Sequence, residues 1–179
     1  MSRLICSVAA LLFIGFIALQ GCEDKRRAKN YNSETQVDDD GLRFIQNAVA
    51  GSHTEIEASI AAQNSSKNPE VLQFAGMLIK HHNDLLEKLR KLQSEKMISH
   101  LDTMSTERQK QVLGLSKQSG PAFDKAYVDL MVEEHEKAVE LFTSATHNRM
   151  KPIIELASKA LPTIKSHLDS AKALQARLK

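Results

Sequence analysis

The sequence has few of the residues that build sheets, disulfide-linked domains and tight turns. Its 179 residues include 7 glycines, 4 prolines and 2 cysteines; tryptophan is absent, and aromatic residues make up 4%. Such a composition disfavours many short strands, and two cysteines cannot form the framework of a disulfide-rich domain. Ala, Leu, Lys, Glu and Gln dominate instead, and these residues favour helices. The length is sufficient for one helical domain with a substantial core.

An excess of charge of one sign is also lacking. The chain carries 24 basic and 22 acidic residues, a formal charge of +2, with the two signs interspersed. A nucleic-acid-binding surface normally shows a basic stripe, so we expect no nucleic-acid partner. The sequence contains no glycine-rich phosphate loop, Gly-x-Ser-x-Gly elbow or His-Glu-x-x-His motif. We therefore assign no catalytic residues from these motifs.

The first 22 residues have the layout of a bacterial lipoprotein signal. Met1-Ser2-Arg3 is followed by an apolar run over residues 4–19 and then by Gln20-Gly21-Cys22. The run is short for a membrane span, which needs about 20 residues. It is typical of a secretory signal that is cleaved before a lipidated cysteine. We expect residues 1–21 to be the signal peptide and Cys22 to carry the lipid; an uncleaved anchor or an ordinary signal are the alternatives.

A lipoprotein signal would place the protein in the cell envelope and would leave the mature chain without a free thiol. Cys6 would leave with the signal and Cys22 would be lipidated, so the mature chain would have no thiol for a metal or a nucleophile. Glu23 follows Cys22, where an aspartate retains many Gram-negative lipoproteins in the inner membrane. We therefore expect an outer-membrane lipoprotein that faces the periplasm and binds the membrane through its lipid. Residues 22–40 read as the lipidated cysteine and a polar tether, and residues 41–179 as the folded domain.

Four long segments repeat apolar residues at spacings of three and four, the period of an amphipathic helix. The predicted helices span residues 42–63, 69–96, 121–148 and 152–179. Pro69, Pro121 and Pro152 stand at the first position of the last three, where proline is favoured. The sequence therefore predicts an all-α protein, a four-helix bundle.

The sequence predicts a short helix within the connection between the second and third long helices. Ser105 is a candidate cap for a short extra helix over residues 106–115. This long connection is compatible with an up-down bundle or with a ferritin-type crossover. Pro162 lies well inside the last helix, where it predicts a kink.

One acid or imidazole falls on the inward face of each long helix. The candidate metal ligands are Glu55, His82, Glu134 and His167, with His135 beside Glu134. Metal sites in bundles are built from inward carboxylates and imidazoles on facing helices. Nitrogen and oxygen ligands without thiols would suit Fe, Mn, Zn or Cu. His81 lies at the rim and would join His82 only if an ion sat off the bundle axis.

The same residues permit an interpretation without metal. Glu55 and Glu134 could hydrogen-bond His82 and His167, which would make a buried polar network that fixes the register of the helices. The protein would then be a non-enzymatic structural or interaction lipoprotein whose protein partner the sequence does not name.

These motifs together resemble one family over residues 44–174. The matching features are Glu55 after Gly51, Glu70-Val71 leading to Phe74-Ala75 and His82, Ser119-Gly120 before Phe123-Asp124 and Tyr127, His135-Glu136-Lys137-Ala138, and Leu161-Pro162 followed by His167-Leu168. On these residues the chain resembles the ferritin-like bacterial outer-membrane proteins grouped as domain of unknown function 4142. The resemblance implies a ferritin-like bundle in the cell envelope, and no established activity comes with it.

Di-iron oxidase chemistry receives no support from the sequence. Ferritin-like di-iron enzymes carry Glu-x-x-His on two helices. Here Ile79 stands three residues before His82, and Ile164 three before His167. The fold alone therefore does not predict an enzyme.

Overall fold

The computed structural model describes residues 37–98 and 104–178, and this part of the chain is helical without strands. The helices are α1 (Asp39–Ser65), α2 (Pro69–Glu95), α3 (Thr106–Leu115), α4 (Gly120–Ala145) and α5 (Lys151–Arg177). The all-α prediction and the short extra helix are confirmed. The predicted signal peptide, Cys22 and nearly all of the tether lie outside the described residues. Over the described ranges, none of the helices has the length and apolarity that crossing a membrane requires.

Side-chain caps begin three of the helices, and one of them is the predicted cap Ser105. Asp38 Oδ1 accepts a hydrogen bond from the Gly41 amide at 2.7 Å, and Asn68 Oδ1 accepts one from Glu70 at 2.9 Å. Ser105 Oγ accepts one from the Arg108 amide at 3.3 Å. Each cap satisfies an amide that has no partner within its helix. The predicted helix starts therefore fall within about one turn of the observed ones.

The bundle has the ferritin-type crossover. The Phe44 and Phe142 rings lie 5.0 Å apart and Ser59 Oγ lies 2.9 Å from Tyr127 Oη, so α1 and α4 run antiparallel. The α1–α2 loop spans three residues, so these two helices form an antiparallel hairpin. Helices α2 and α4 consequently run in the same direction, and the connection that contains α3 must return along the bundle. This resolves the topology that the sequence left open.

Two apolar clusters occupy opposite ends of the bundle. Cluster one includes Phe44, Leu86, Phe142 and Ile153, and cluster two includes Phe74, Leu78, Phe123, Tyr127 and Leu174. Burying a large apolar side chain contributes about 1.5–3 kcal/mol to stability. On every long helix the residues of one cluster give way to those of the other near the middle of the helix. The candidate ligands lie at these four boundaries, so the fold brings them to one height.

Helices α1 and α5 begin close together, and Gly41 lies at this contact. A Cβ at Gly41 would lie 2.4 Å from Ile153 Cδ1 and 2.9 Å from Asp38 Oδ1. The starts of α1 and α5 therefore meet at the end of the bundle that contains cluster one.

Helix α5 continues through Pro162, which lies on its exposed face.

Candidate metal centre

Four polar side chains, one from each long helix, meet between the two apolar clusters. They are Glu55 of α1, His82 of α2, His135 of α4 and His167 of α5, and each is at most 4% exposed. All four are among the predicted ligands. The structure therefore brings together one carboxylate and three imidazoles in a water-poor layer of the core.

The interatomic distances are those of a small coordination sphere. Glu55 Oε2 lies 2.8 Å from His82 Nε2 and 3.2 Å from His135 Nε2. One ring nitrogen from each of His82, His135 and His167 lies within 4.8 Å of the others. A tetrahedral site with metal–ligand bonds of about 2.1 Å spaces its ligand atoms about 3.4 Å apart. These distances bracket that spacing, so the three imidazoles surround a volume of the size that one ion needs, and Glu55 lies beside two of them.

Four of these buried atoms have no hydrogen-bond partner among the described residues: Glu55 Oε2, His82 Nε2, His135 Nε2 and His167 Nδ1. The contacts of Glu55 with the rings are close, but they are not aligned as hydrogen bonds. Leaving a buried polar atom unpaired costs about 1–3 kcal/mol. A single cation between the four atoms would satisfy all of them at once.

The second nitrogen of each imidazole is held from outside the cluster. His135 Nδ1 donates to the Met131 carbonyl oxygen at 2.8 Å, so Nε2 is the nitrogen that faces the cluster. His82 Nδ1 lies 3.4 Å from Ser52 Oγ, and His167 Nε2 lies 2.8 Å from His81 Nδ1. Metal-binding histidines generally have their other nitrogen held in this way, which fixes the tautomer and the ring orientation.

The electrostatics of the cluster favour an ionised carboxylate on Glu55 and a neutral imidazole on His167. Burial opposes ionisation of Glu55, but the neighbouring His82, His135 and His167 outweigh it, so the pKa of Glu55 lies below its usual 4.5. Burial, with the like charges of protonated His135 and His82, lowers the pKa of His167 to about 3. A neutral imidazole has the lone pair that metal binding requires.

Glu134, which the sequence placed in the same set, is engaged elsewhere. Its Oε2 lies 3.1 Å from an Arg108 guanidinium nitrogen, and its Oε1 lies 3.0 Å from Lys137 Nζ. Glu134 is nevertheless 2% exposed, because α3 covers this side of α4 and supplies Arg108. Adjacent residues of α4 therefore serve two environments: His135 faces the cluster, and Glu134 faces α3.

Two cavities flank the cluster. The first, here named the α1–α4 cavity, has a volume of about 380 Å³ and is lined by Glu55, His82, Arg108, Glu134, Lys137 and Glu140, among others. The second, the α2–α5 cavity, has a volume of about 420 Å³ and is lined by His81, His82, His167 and three lysines, among others. His82 lines both cavities, so the cluster can be approached from two sides of the bundle.

Sequence reasoning missed two residues of this region and one contact. Arg108 lies on α3, whose apolar pattern is too weak to orient it. Ser52 gave no sign of its role, although it stands one turn before Glu55 on the same face. The predicted position of His81 at the rim agrees with its partial burial, but its contact with His167 required the packing of α2 on α5.

Replacing His81 by alanine is expected to weaken metal binding by about 10- to 100-fold, the usual cost of losing an outer partner of a ligand. His167 would keep its place but lose the group that fixes its tautomer. Competition of the purified protein with a chromophoric chelator for Co²⁺ would measure the affinity, and ¹⁵N shifts of the ring nitrogens would report the tautomer. His147→Ala, at an exposed histidine, is the matched control. An affinity within twofold of the wild-type value would contradict the assignment of His81.

Comparison with known proteins agrees with the fold. The crystal structure of a DUF305 fragment from Deinococcus radiodurans is similar, with a TM-score of 0.71 at 14% identity over 78% of this chain and 97% of that chain. At this identity the likeness concerns the fold alone. A search of the curated proteins finds no significant match. The family model described as "Domain of unknown function (DUF4142)" matches residues 26–174, so the chain belongs to the DUF4142 family.

Proposed function

We propose that this protein is a metal-binding domain that holds one divalent transition-metal ion between its four long helices. Glu55, His82, His135 and His167 would be the ligands. The observation that carries the proposal is the meeting of four buried side-chain atoms, one from each long helix, that have no aligned hydrogen bond among the described residues. An apolar or fully hydrogen-bonded core would leave no such set.

The donor set narrows the class of ion. Three imidazole nitrogens and one carboxylate oxygen suit Zn²⁺, Cu²⁺ or Fe²⁺ better than Mg²⁺ or Ca²⁺, which prefer sites made of oxygen. Four protein ligands complete a tetrahedral sphere, whereas catalytic zinc sites keep one position for water or substrate. The arrangement therefore supports binding or buffering of the ion in preference to catalysis.

Elemental analysis of protein purified without a metal-affinity tag or chelator tests this proposal. We expect about one transition-metal ion per chain, and a rise in melting temperature when Zn²⁺ or Cu²⁺ is added to the metal-free protein. Co²⁺ should give the intense visible absorption of a tetrahedral site. A metal-free preparation with no thermal shift for Zn²⁺, Cu²⁺, Fe²⁺ or Mn²⁺ would overturn the proposal.

We further propose that the domain works in the cell envelope as a lipoprotein anchored at Cys22. The signal-like residues 1–21 and the polar stretch that follows Cys22 support this. Labelling of the protein with radioactive palmitate, and accumulation of the precursor when lipoprotein signal peptidase is inhibited by globomycin, would test it. A Cys22→Ala variant that still incorporates label would exclude lipidation at this cysteine.

A second candidate function is a structural or interaction lipoprotein in which the cluster is only a polar core. The 2.8 Å contact between Glu55 and His82 favours it, since a protonated His82 would form an ion pair there. This alternative predicts that the protein remains fully stable without metal and that its partner binding does not respond to a chelator. The metal analysis above therefore separates the two functions.

A further inference from the structure

The two cavities differ in what they offer to an approaching cation. Glu55 and His82, which carry two of the unpartnered atoms, line the α1–α4 cavity. Both residues are at least nine-tenths buried, so the inner end of this cavity lies against two members of the cluster. A cation that enters it would find acceptors at its inner end.

Further carboxylates line the same cavity. Glu140 is exposed and Glu134 is buried, so with Glu55 they supply acidic groups from the surface to the cluster. Arg108 and Lys137 are the cationic residues of the lining, and both contact Glu134. The carboxylate of Glu134 is thus paired inside the protein with two cations that an incoming metal ion could replace.

Arg108 is the exchangeable partner of Glu134. It comes from the short helix α3, and its side chain is 19% exposed. Its guanidinium can therefore swing outward into water when another cation reaches Glu134. Lys137 also pairs with Glu133 at 2.7 Å, so it has a second carboxylate to which it can move.

The α2–α5 cavity has the opposite character. Lys88, Lys91 and Lys159 line it, together with Glu95 and Glu155. A lysine-rich entrance raises the local potential and slows the approach of a cation. Electrostatics therefore favour the α1–α4 side, although both cavities reach His82.

We propose that the metal ion enters the centre through the α1–α4 cavity, with Glu134 as a transient ligand from which the ion displaces Arg108. This inference rests on the proposed function and specifies its route. Glu134 then affects the rate of binding and not the final affinity. It binds the cation inside the cavity while the cation loses its water ligands, and the cation then moves to Glu55 and His82. The final coordination sphere does not include it.

Stopped-flow mixing of the metal-free full-length protein with Co²⁺ tests the route. Glu134→Gln is expected to slow both binding and release about tenfold, the lower end of electrostatic effects on rates, and to leave the dissociation constant within about threefold. Arg108→Gln is expected to speed binding several-fold, because it frees Glu134 and removes a positive charge from the path. Lys159→Gln, on the other cavity, is the matched control and should leave the rate unchanged.

Opposite changes in the two variants support the route. A binding rate within twofold of the wild-type rate for Glu134→Gln, or no acceleration for Arg108→Gln, overturns it. Acceleration by Lys159→Gln alone would mean entry through the α2–α5 cavity, which also overturns it. If Glu134→Gln does not fold, as judged by circular dichroism, the Arg108→Gln rate decides.

Failure of the route and failure of the proposed function give different results. If the wild-type protein binds Co²⁺ but Glu134→Gln has normal kinetics, only the route is wrong. If the wild-type protein binds no metal at equilibrium, the proposed function is wrong and no rate can be measured.

Discussion

Replacing His135 by alanine is expected to abolish tight metal binding, with the dissociation constant rising about 100- to 1,000-fold. Structural zinc sites supply about 10–16 kcal/mol of binding free energy, and one of four ligands carries about a quarter of it. His135 is 0% exposed, so its replacement by alanine leaves a cavity in the core where the ligand stood. Competition with a chromophoric chelator measures the change in affinity.

A matched pair of variants separates loss of a ligand from loss of the fold. His147→Ala replaces an exposed histidine that follows the same helix and should bind metal as the wild-type protein does. The helical circular dichroism of His135→Ala should match that of the metal-free wild type before any titration. An unchanged affinity in a folded His135→Ala protein would show that the ion does not bind at this cluster.

Acidification of the metal-free protein is expected to lower its free energy of unfolding by about 3 kcal/mol between pH 6.5 and pH 4. His167 has a pKa of about 3 in the folded protein, because it is buried and lies beside His135 and His82, against an ordinary value of 6.5. Below pH 6.5 His167 binds a proton in the unfolded chain but not in the folded chain, so the free energy of unfolding falls as pH falls through this window. Above pH 6.5 this group has no effect.

Glu55 acts in the same direction at lower pH. Its pKa in the folded protein lies below 4.5, so the stability that it contributes is present above pH 4.5 and is lost as pH falls through the lowered value. Urea unfolding monitored by circular dichroism at several pH values would measure both effects. His167→Gln should flatten the profile between pH 6.5 and pH 4; the same slope in this variant would contradict the role given to His167.

The fold could be predicted because local signals agreed along the chain. Asn68-Pro69, Ser105 and Pro152 marked helix starts, and the apolar period marked the inward faces. The crossover could not be predicted, because the lengths of the connections allow either direction for α4. Only contacts distant in sequence, such as Ser59 with Tyr127, decide it.

The centre was predicted in part for a related reason. Helical period places Glu55, His82 and His167 inward, and the structure brings these three together. The helical period places Glu134 in the apolar stripe of α4 and His135 at its edge, about 100° away around the helix. Helix α3 covers an additional side of α4 through Arg108, so both residues are buried, and His135 is the one that faces the cluster. The helical period of a sequence does not show which other helix will pack against the side of α4 next to its inward face.

The way the ligands divide along the chain has a consequence for turnover of the protein. The hairpin of α1 and α2 carries Glu55 and His82, and the hairpin of α4 and α5 carries His135 and His167. A protease that cuts the connection between α2 and α4 would leave two fragments, each with two ligands. Both apolar clusters contain residues of the two hairpins, so the fragments would share a core, and an ion bound at the cluster would link them in addition. Removal of the ion by a chelator would then weaken the association of the two fragments.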